Sequence, residues 1–171
     1  MKITALETIR LGEFPNLIWL RIHTDEGLIG LGESFYGAAA IEAYLHETAA
    51  HHLLGQDPLA IEALGQKLYG YVGYTGTGVE MRGNSAVDVA LWDLFGKLTG
   101  QPIYQLLGGA SRDSIRVYNT CAGYQYVRAP AHAIGNWGLP EAEPEGPYED
   151  LVAFLERADE LSESLLDQGI S

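Results

Sequence analysis

Residues 85–109 decide the fold, and they read SAVDVALWDLFGKLTGQPIYQLLGG. Apolar side chains in the first half recur at three- and four-residue steps, which places them on one face of a helix. They are Ala86, Val87, Ala90, Leu91, Leu94 and Phe95. Gly100 can adopt the left-handed conformation that ends a helix, and Pro102 cannot continue one. The pattern predicts a buried helix followed by a short apolar turn over 103–107.

Small side chains on this helix predict a close neighbour. Ser85, Ala86 and Ala90 leave room for another backbone to approach the helix. Asp93 and Lys97 lie four residues apart with the acid first, which is the favourable order for an ion pair on a helix surface. The helix is therefore expected to pack on one side and to meet solvent on the other.

Three strands are predicted before the helix, over 2–11, 16–24 and 28–35. Alternation in the first strand places Ile3, Ala5, Ile9 and Leu11 on one side. In the second strand, Ile18, Leu20 and Ile22 face opposite to Trp19, Arg21 and His23. Such neighbouring strands with short connections predict an antiparallel meander.

Glycines shape the third strand and the turn that leads into it. Asp25-Glu26-Gly27 predicts a short hairpin turn, with Gly27 at the position that requires a positive φ. Gly30 and Gly32 interrupt the strand pattern, which indicates either a close backbone approach or a bulge.

The apolar period becomes helical after residue 37. Residues 38–54 predict a helix that ends at Gly55, with Ile41, Leu45, Thr48, Ala49 and Leu53 on its buried face. Asp57 and Pro58 are an N-cap acid and a first-turn proline, so a second helix is expected to begin there. Strands followed by helices predict the α+β class.

The last third reads as one βα unit. Residues 114–121 alternate like a strand, 122–147 form a long loop, and 148–168 have an amphipathic helical pattern that ends at Gly169. The predicted apolar face of that helix comprises Leu151, Phe154, Leu155, Ala158, Leu161, Leu165 and Leu166. A lone strand would leave its backbone groups unpaired on both edges.

Composition and charge indicate which classes of binding partner to expect. The formal net charge is −13, and 10 of the 23 acidic residues lie in 141–171 beside a single base, Arg157. No basic stripe is present, so we expect no nucleic-acid partner. No apolar run is long enough to cross a bilayer, and Met1 to Glu7 lacks a signal-peptide core, so we expect no membrane partner. The single cysteine, Cys121, favours a cytoplasmic location.

Several residues that could carry chemistry have a simpler structural interpretation. His46, His51 and His52 do not share one helix face, so they are not expected to form a metal site. The glycine-rich stretch 70–78 lacks the Gly-Lys-Ser/Thr ending of a phosphate-binding loop. Cys121 has no histidine near it in sequence and is interpreted as an inert thiol.

A family resemblance rests on the opening stretch. AVDVALWDLFGK over 86–97 and GQPIYQLLGG over 100–109 resemble the signature that ends the N-terminal capping domain of the enolase superfamily, in its mandelate racemase and muconate lactonizing branch. The match is long and nearly gapless, and the resemblance extends from Lys2 to Ser171. It implies a capping domain over 1–113, with a three-stranded meander followed by a helical bundle. Residues 114–171 would then be the first strand, long loop and helix of an incomplete (β/α)₇β barrel.

The resemblance also implies an activity. Enzymes of this branch remove the proton next to a carboxylate and hold the enolate on Mg²⁺, which makes the proton easier to remove. Acid-sugar dehydration is the first expectation, and racemisation or cycloisomerisation is the alternative. A truncated, non-catalytic chain is a third possibility. The implied partner is a small carboxylate or acid-sugar substrate, and the full-length form is expected to be a homo-oligomer.

The resemblance points to loops as the substrate-binding elements. Two capping-domain loops would cover the barrel mouth, over 13–16 and 34–37, and they carry Phe14, Phe35 and Tyr36. The end of the first barrel strand would contribute Asn119, Thr120 and Tyr124, with Trp137 in the following loop as a lid. The alternative for the three capping aromatics is that they only pack on the signature helix.

The family's catalytic groups have no counterpart in these residues. The acid–base lysines of the family form a Lys-x-Lys pair, whereas Lys2, Lys67 and Lys97 are the only lysines here. The Mg²⁺ carboxylates of the family come from later barrel strands. The resemblance therefore assigns no catalytic residue and no metal ligand, and the 171-residue chain alone is expected to be inactive.

Overall fold

A computed structural model describes residues 1–69, 78–119 and 151–170. The chain divides into two compact units, Met1–Ala110 and Ser111–Ser171, and each is described by itself. The first unit contains strands β1 (Ile3–Ile9), β2 (Leu17–Thr24) and β3 (Ile29–Phe35). Its helices are α1 (Ala38–Tyr44), α2 (Ala50–Leu53), α3 (Ile61–Tyr69), α4 (Gly78–Thr99) and α5 (Ile103–Leu106), with a π-helical segment, Leu45–Ala49, between α1 and α2.

The three strands form the predicted antiparallel meander, in the order β1-β2-β3. Leu20 of β2 pairs with Thr8 of β1 and with Gly32 of β3. Gly27 closes the hairpin with a φ of 81°. One face of β2 is fully buried, because Ile18, Leu20 and Ile22 face the helices, as the alternation predicts. The α+β class is thereby confirmed.

A bulge in β1 corrects the predicted face of that strand. The register shifts between Ile3 and Ala5, so Leu6, which pairs with Ile22, packs against the core while Ala5 is exposed. The predicted shared side of Ile3 and Ala5 is therefore wrong. An extra residue in one strand moves every later side chain to the opposite face.

The helix predicted over 38–54 forms as three consecutive segments, α1, the π-helical segment and α2. Ile41, Leu45 and Leu53 are fully buried, as expected, but Thr48 is exposed, which corrects its predicted place on the buried face. The wider π turn rotates the residues that follow it relative to a regular helix. Gly55, with a φ of 74°, ends the stretch.

The next helix begins later than predicted. Asp57 accepts a hydrogen bond from the Leu59 amide at 2.9 Å, and its carbonyl oxygen accepts one from the Ala60 amide at 3.1 Å. Residues 57–60 therefore form a turn, and α3 begins only at Ile61. Leu64 and Leu68 are its buried residues, in agreement with the helical period.

Helix α4 packs directly on the backbone of β3. The close neighbour predicted for the helix is therefore β3, and of the two alternatives for Gly30 and Gly32 the structure has the close backbone approach. A methyl group on Gly32 would overlap the carbonyl oxygen of Ala86, and one on Gly30 would overlap that of Ala90. The two elements can touch only because β3 has no side chain at either position. The core is completed by Leu91 and Leu94, both at most 1% exposed. Phe95 is only partly buried.

Side chains of α4 also bind the backbone of β3, an edge strand. Asp93 accepts a hydrogen bond from the Leu31 amide at 2.7 Å, and Lys97 donates to the Ile29 carbonyl at 2.8 Å. The predicted Asp93–Lys97 ion pair is present at 2.6 Å. Satisfying edge backbone groups in this way limits their pairing with another chain.

A buried polar network joins α1, α3 and α4. The Tyr44 hydroxyl donates to Asn84 Oδ1 at 2.6 Å, and Asn84 Nδ2 donates to the Leu68 carbonyl at 3.3 Å. Gly83 lies beneath the Tyr44 ring, where a Cβ atom would overlap the ring. Burial raises the pKa of Tyr44, which keeps its hydroxyl protonated as a donor.

The second unit differs from its prediction. Residues 114–119, the described part of the predicted strand, have no regular secondary structure, and Ile115, Val117 and Tyr118 are exposed. The predicted helix over 148–168 is interrupted at Arg157 (φ −139°), between α6 (Leu151–Glu156) and α7 (Ala158–Asp167). Ala153 and Leu161 are buried, whereas Phe154, Leu155 and Leu166 of the predicted apolar face are exposed. Gly169 ends α7 with a φ of 79°.

A search of the described residues finds no helix that is long and apolar enough to cross a membrane.

Candidate functional site

Two segments that the sequence singles out meet at one end of the sheet. They are the β1–β2 loop, residues 10–16, and the 34–37 segment, which ends β3 and leads into α1. The Tyr36 amide donates a hydrogen bond to the Asn16 carbonyl at 3.2 Å, so the two segments are directly connected. This end of the first unit is the candidate site.

Phe14 is held by packing on the sheet. Its ring meets the Trp19 ring edge to face, with centroids 6.2 Å apart and planes at 83°. The loop around it is shaped by backbone hydrogen bonds from the Phe14 amide to the Leu11 carbonyl and from the Leu17 amide to the Phe14 carbonyl, each 3.0 Å. The ring is partly buried, so one side of it can contact another molecule.

Phe35 and Tyr36 form an aromatic pair in the 34–37 segment. Their ring centroids lie 4.6 Å apart, and both residues are partly buried. Tyr36 has a φ of 65°, a left-handed conformation that side chains with a Cβ rarely adopt, and Gly37 follows with a φ of 83°. The chain reverses direction here, between the end of β3 and the start of α1.

Arg82 is a site residue that the sequence interpretation misses. It lies on α4, and its guanidinium carbon is 5.0 Å from the Phe35 ring centroid and 4.9 Å from that of Tyr36. Its Nη1 donates to the Phe35 carbonyl at 3.0 Å. The available signal is the helical period, because Arg82 precedes Ala86 by four residues and therefore shares the face that meets β3.

A shallow groove of about 330 Å³ adjoins the pair. It is lined by Glu33, Ser34, Phe35, Gly78, Met81, Arg82 and Ser85. The groove thus places a cation, an acid and two hydroxyl groups beside an aromatic side chain. Such a mixture suits a small polar ligand that carries hydroxyl and carboxylate groups.

Two carboxyl groups with lowered pKa values, Glu42 and Glu7, do not line this groove. A hydrogen bond from the Thr8 hydroxyl, supported by Arg10, holds the pKa of Glu42 below its ordinary value. A hydrogen bond with His23 lowers the pKa of Glu7 on the outer sheet face. Both shifts follow from partners that favour the charged carboxylate, and neither residue lines the groove, although Arg10 belongs to the β1–β2 loop.

The described residues do not fit a Mg²⁺ site. Within 1–69, 78–119 and 151–170, no three His, Cys, Asp or Glu side chains come together as a metal centre requires. His46, His51 and His52 are exposed on the surface of the first unit. His46 Nε2 instead lies 2.9 Å from the Thr8 hydroxyl.

The predicted barrel-side residues belong to the second unit or lie outside the described residues. Asn119 is partly buried in the second unit, in a stretch without regular structure. Thr120, Tyr124 and Trp137 lie outside the described residues, as does Cys121. Of the seven predicted substrate-binding residues, the structure therefore groups Phe14, Phe35 and Tyr36.

A three-stranded meander backed by helices, with aromatic loops at one end of the sheet, defines a capping domain of the enolase type. The model of the mandelate racemase / muconate lactonizing enzyme N-terminal domain matches residues 5–108. The chain belongs to this family. The sequence-based assignment to the enolase superfamily is confirmed.

Two of the similar proteins are named as dehydratases of acid sugars. A D-galactonate dehydratase from Verminephrobacter eiseniae is 47% identical over 125 residues, which cover 72% of this chain and 32% of that protein. A D-mannonate dehydratase from Novosphingobium aromaticivorans is 40% identical over 139 residues, covering 80% of this chain and 34% of that protein. The chain therefore spans about a third of the length of these relatives.

A solved structure gives the same fold. A crystal structure of an enolase of the mandelate racemase subgroup from Agrobacterium tumefaciens superposes with a TM-score of 0.75 at 47% sequence identity. The match covers 100% of this chain and 37% of that one.

Proposed function

We propose that the chain is the capping domain and the opening barrel unit of a Mg²⁺-dependent acid-sugar dehydratase, a lyase of the enolase superfamily. The observation that carries this proposal is the identity of 47% to a D-galactonate dehydratase and of 40% to a D-mannonate dehydratase. The substrate would be a small polyhydroxylated carboxylate, which agrees with the polar and aromatic lining of the groove beside Phe35.

The proposed domain boundary is at residue 113. Residues 1–113 would be the capping domain, and 114–171 would be the opening strand, loop and helix of the barrel. The family match to residue 108 supports this division. So do the exposed apolar side chains of Ile115, Val117 and Tyr118, because a barrel strand needs neighbours on both edges to cover such groups.

Substrate contact is proposed for the two aromatic segments. Phe14, Phe35 and Tyr36 would cover the substrate, and Asn119, Thr120, Tyr124 and Trp137 would approach it from the barrel. The joined β1–β2 loop and 34–37 segment support the capping half of this proposal, because recognition residues concentrate on loops held by a rigid scaffold.

Catalysis is assigned to a longer form of the protein. The described residues offer no Mg²⁺ ligand set, and the sequence has no Lys-x-Lys pair to exchange the α-proton. The 171-residue chain alone is therefore proposed to be inactive. The longer form would be a homo-oligomer, and a cytoplasmic location is favoured by the single cysteine.

The test is an assay of the complete reading frame that contains residues 1–171 beside the 171-residue chain alone. Each protein is incubated with Mg²⁺ and a panel of acid sugars that includes D-galactonate and D-mannonate. Loss of water leaves an enol that becomes a 2-keto-3-deoxy acid, which is measured as its semicarbazone. The longer form should make this product, and EDTA should stop it.

The controls separate the alternatives. An epimerised sugar acid without keto acid would point to a racemase. Cyclisation of an added unsaturated dicarboxylate such as muconate to a lactone would point to a cycloisomerase. Turnover by the 171-residue chain, purified free of any longer form, would refute the proposed inactivity. No reaction of the longer form with any acid sugar would refute the dehydratase.

A further inference from the structure

Arg82 touches the 34–37 segment at three points. Its Nη1 donates to the Phe35 carbonyl at 3.0 Å, and its guanidinium lies 5.0 Å and 4.9 Å from the ring centroids of Phe35 and Tyr36. Distances of this size are within the range of a cation–π interaction with each ring. One side chain of α4 therefore holds both the backbone and the rings of this segment.

The segment that Arg82 holds is conformationally unfavourable by itself. Tyr36 has a φ of 65°, where its Cβ crowds the backbone. Such a residue keeps this conformation only when its surroundings fix it. The Arg82 guanidinium carbon lies 4.9 Å from the Tyr36 ring centroid, and the Tyr36 amide donates a hydrogen bond to the Asn16 carbonyl at 3.2 Å. Tyr36 is thus held between α4 and the β1–β2 loop.

The support behind Arg82 is rigid. One turn further along α4, Ala86 packs on Gly32 with no space for a methyl group, so the helix cannot slide along β3. Gly83, the neighbour of Arg82, packs under the Tyr44 ring. The packed core of the unit therefore fixes the position of the guanidinium. The contacts of the guanidinium in turn hold the 34–37 segment in place.

In the part of the chain that the structure describes, the charge of Arg82 is not used in an ion pair. Among the residues that the structure describes, no carboxylate lies within salt-bridge distance of its guanidinium, whose contacts are the Phe35 carbonyl and the two rings. A planar guanidinium can stack on aromatic rings and donate in its own plane at the same time, whereas an ammonium cannot. Arginine can make these three contacts at the same time, and lysine would not reproduce all of them.

We propose that Arg82 is a positioning residue that holds Phe35 and Tyr36 in one conformation for substrate recognition. The recognition part of this proposal rests on the proposed function, because it requires that the 34–37 segment meets the substrate. Arg82 acts through these two residues, by fixing their rings and the left-handed backbone at Tyr36.

The first experiment measures amide hydrogen exchange in the 171-residue chain and in its Arg82→Met variant. Exchange at the Tyr36 amide should become about tenfold faster or more, because the segment opens without unfolding the unit. Exchange at Leu20, in the centre of the sheet, should stay unchanged. Arg82→Lys should give an intermediate rate, and Arg21→Met, on the outer sheet face, should match the wild type.

Two exchange results would overturn the inference. One is a Tyr36 amide that exchanges as slowly in Arg82→Met as in the wild type, since the Arg82 contacts would then not be what fixes this segment. The other is a parallel loss of protection at Leu20, since Arg82 would then support the whole fold.

The second experiment uses the longer, active form. Arg82→Met should raise the KM for the preferred acid sugar about tenfold or more, since misplaced binding groups weaken binding. It should leave kcat within about twofold, the pattern of lost uniform binding. An equal loss in kcat, or no change in KM, would overturn the recognition role. A wild-type enzyme without dehydratase turnover would instead refute the proposed function, while the exchange result still decides whether Arg82 positions the segment.

Discussion

Leucines at predicted apolar helix positions are buried to different degrees in the two units. In the first unit, Leu91 and Leu94 of α4 are at most 1% exposed, whereas Leu155 in the second unit is 70% exposed. Both regions have sequences with clear periodicity, so the difference lies in what each can pack against. The meander packs against helices of its own unit, whereas the second unit, under the proposal that it opens a barrel, would depend on further strands and helices. Periodicity alone therefore does not guarantee a buried face.

The largest expected effect tests the backbone packing that only the first unit has. Gly32→Val should destabilise the protein by more than about 4 kcal/mol, at the exceptional end for single substitutions, because the side chain would overlap the Ala86 backbone. Urea unfolding followed by circular dichroism measures it. Gly12→Ala is the matched control, since nothing lies within 4 Å of a Cβ there. Equal stability of the two variants would contradict the close packing.

A leucine from each unit tests the comparison directly. Leu94→Ala should reduce the free energy of unfolding by about 2–5 kcal/mol, because it leaves a cavity in the core. Leu155→Ala should change it by less than about 0.5 kcal/mol, as expected for an exposed site. Both values come from the same urea titration. A similar loss in the two variants would mean that the second unit buries Leu155 in solution.

The smallest expected effect concerns Glu42 of α1, whose carboxylate accepts hydrogen bonds from Thr8 of β1 and from Arg10. The pKa of Glu42 is lower in the folded chain than its ordinary value of 4.5, so its charged form stabilises the fold above that value. This contribution to stability is lost as the pH falls through the lowered pKa that Glu42 has in the folded chain. Glu42→Gln should therefore cost about 0.2–1 kcal/mol at neutral pH, the range for exposed pairs, and should converge with the wild type in acid.

The readout is the free energy of unfolding as a function of pH. Glu47→Gln, at an exposed acid of the neighbouring π-helical segment, should follow the wild-type curve. A constant difference between wild type and Glu42→Gln at every pH would show that Thr8, Arg10 and His46 do not act through the carboxylate charge.

The sequence signals a close backbone approach on both α4 and β3, although it does not identify the two elements as partners. Gly30 and Gly32 leave a gap in the strand, and Ala86 and Ala90 present a small-residue face on the helix. Each pattern follows from the local period of its own element. The resemblance to the enolase superfamily rests on the same helix, and the family match over 5–108 agrees with it.

The candidate site was less predictable. The loops that carry Phe14, Phe35 and Tyr36 could be located from turn residues and changes of period. Arg82 could not be linked to them, because 47 residues separate it from Phe35 and no periodicity spans that distance. The contact exists only once α4 has docked on the sheet. The bulge in β1 and the π-helical segment are similar cases, since neither has a reliable sequence signature.

By itself, the sequence determined the strands of the first unit, the extent of the signature helix beyond Ser85, and the family. The strands and the helix follow from backbone geometry, which imposes a period of two on strands and of 3.6 on helices. The family follows from the resemblance that residues 86–97 and 100–109 carry. Tertiary packing decided which face of β1 is buried, how Arg82 meets Phe35 and Tyr36, and whether residues 114–119 join a sheet. A strand needs hydrogen-bonding partners on its edges, and a side chain's contacts depend on elements distant in the chain, so local periods cannot supply either.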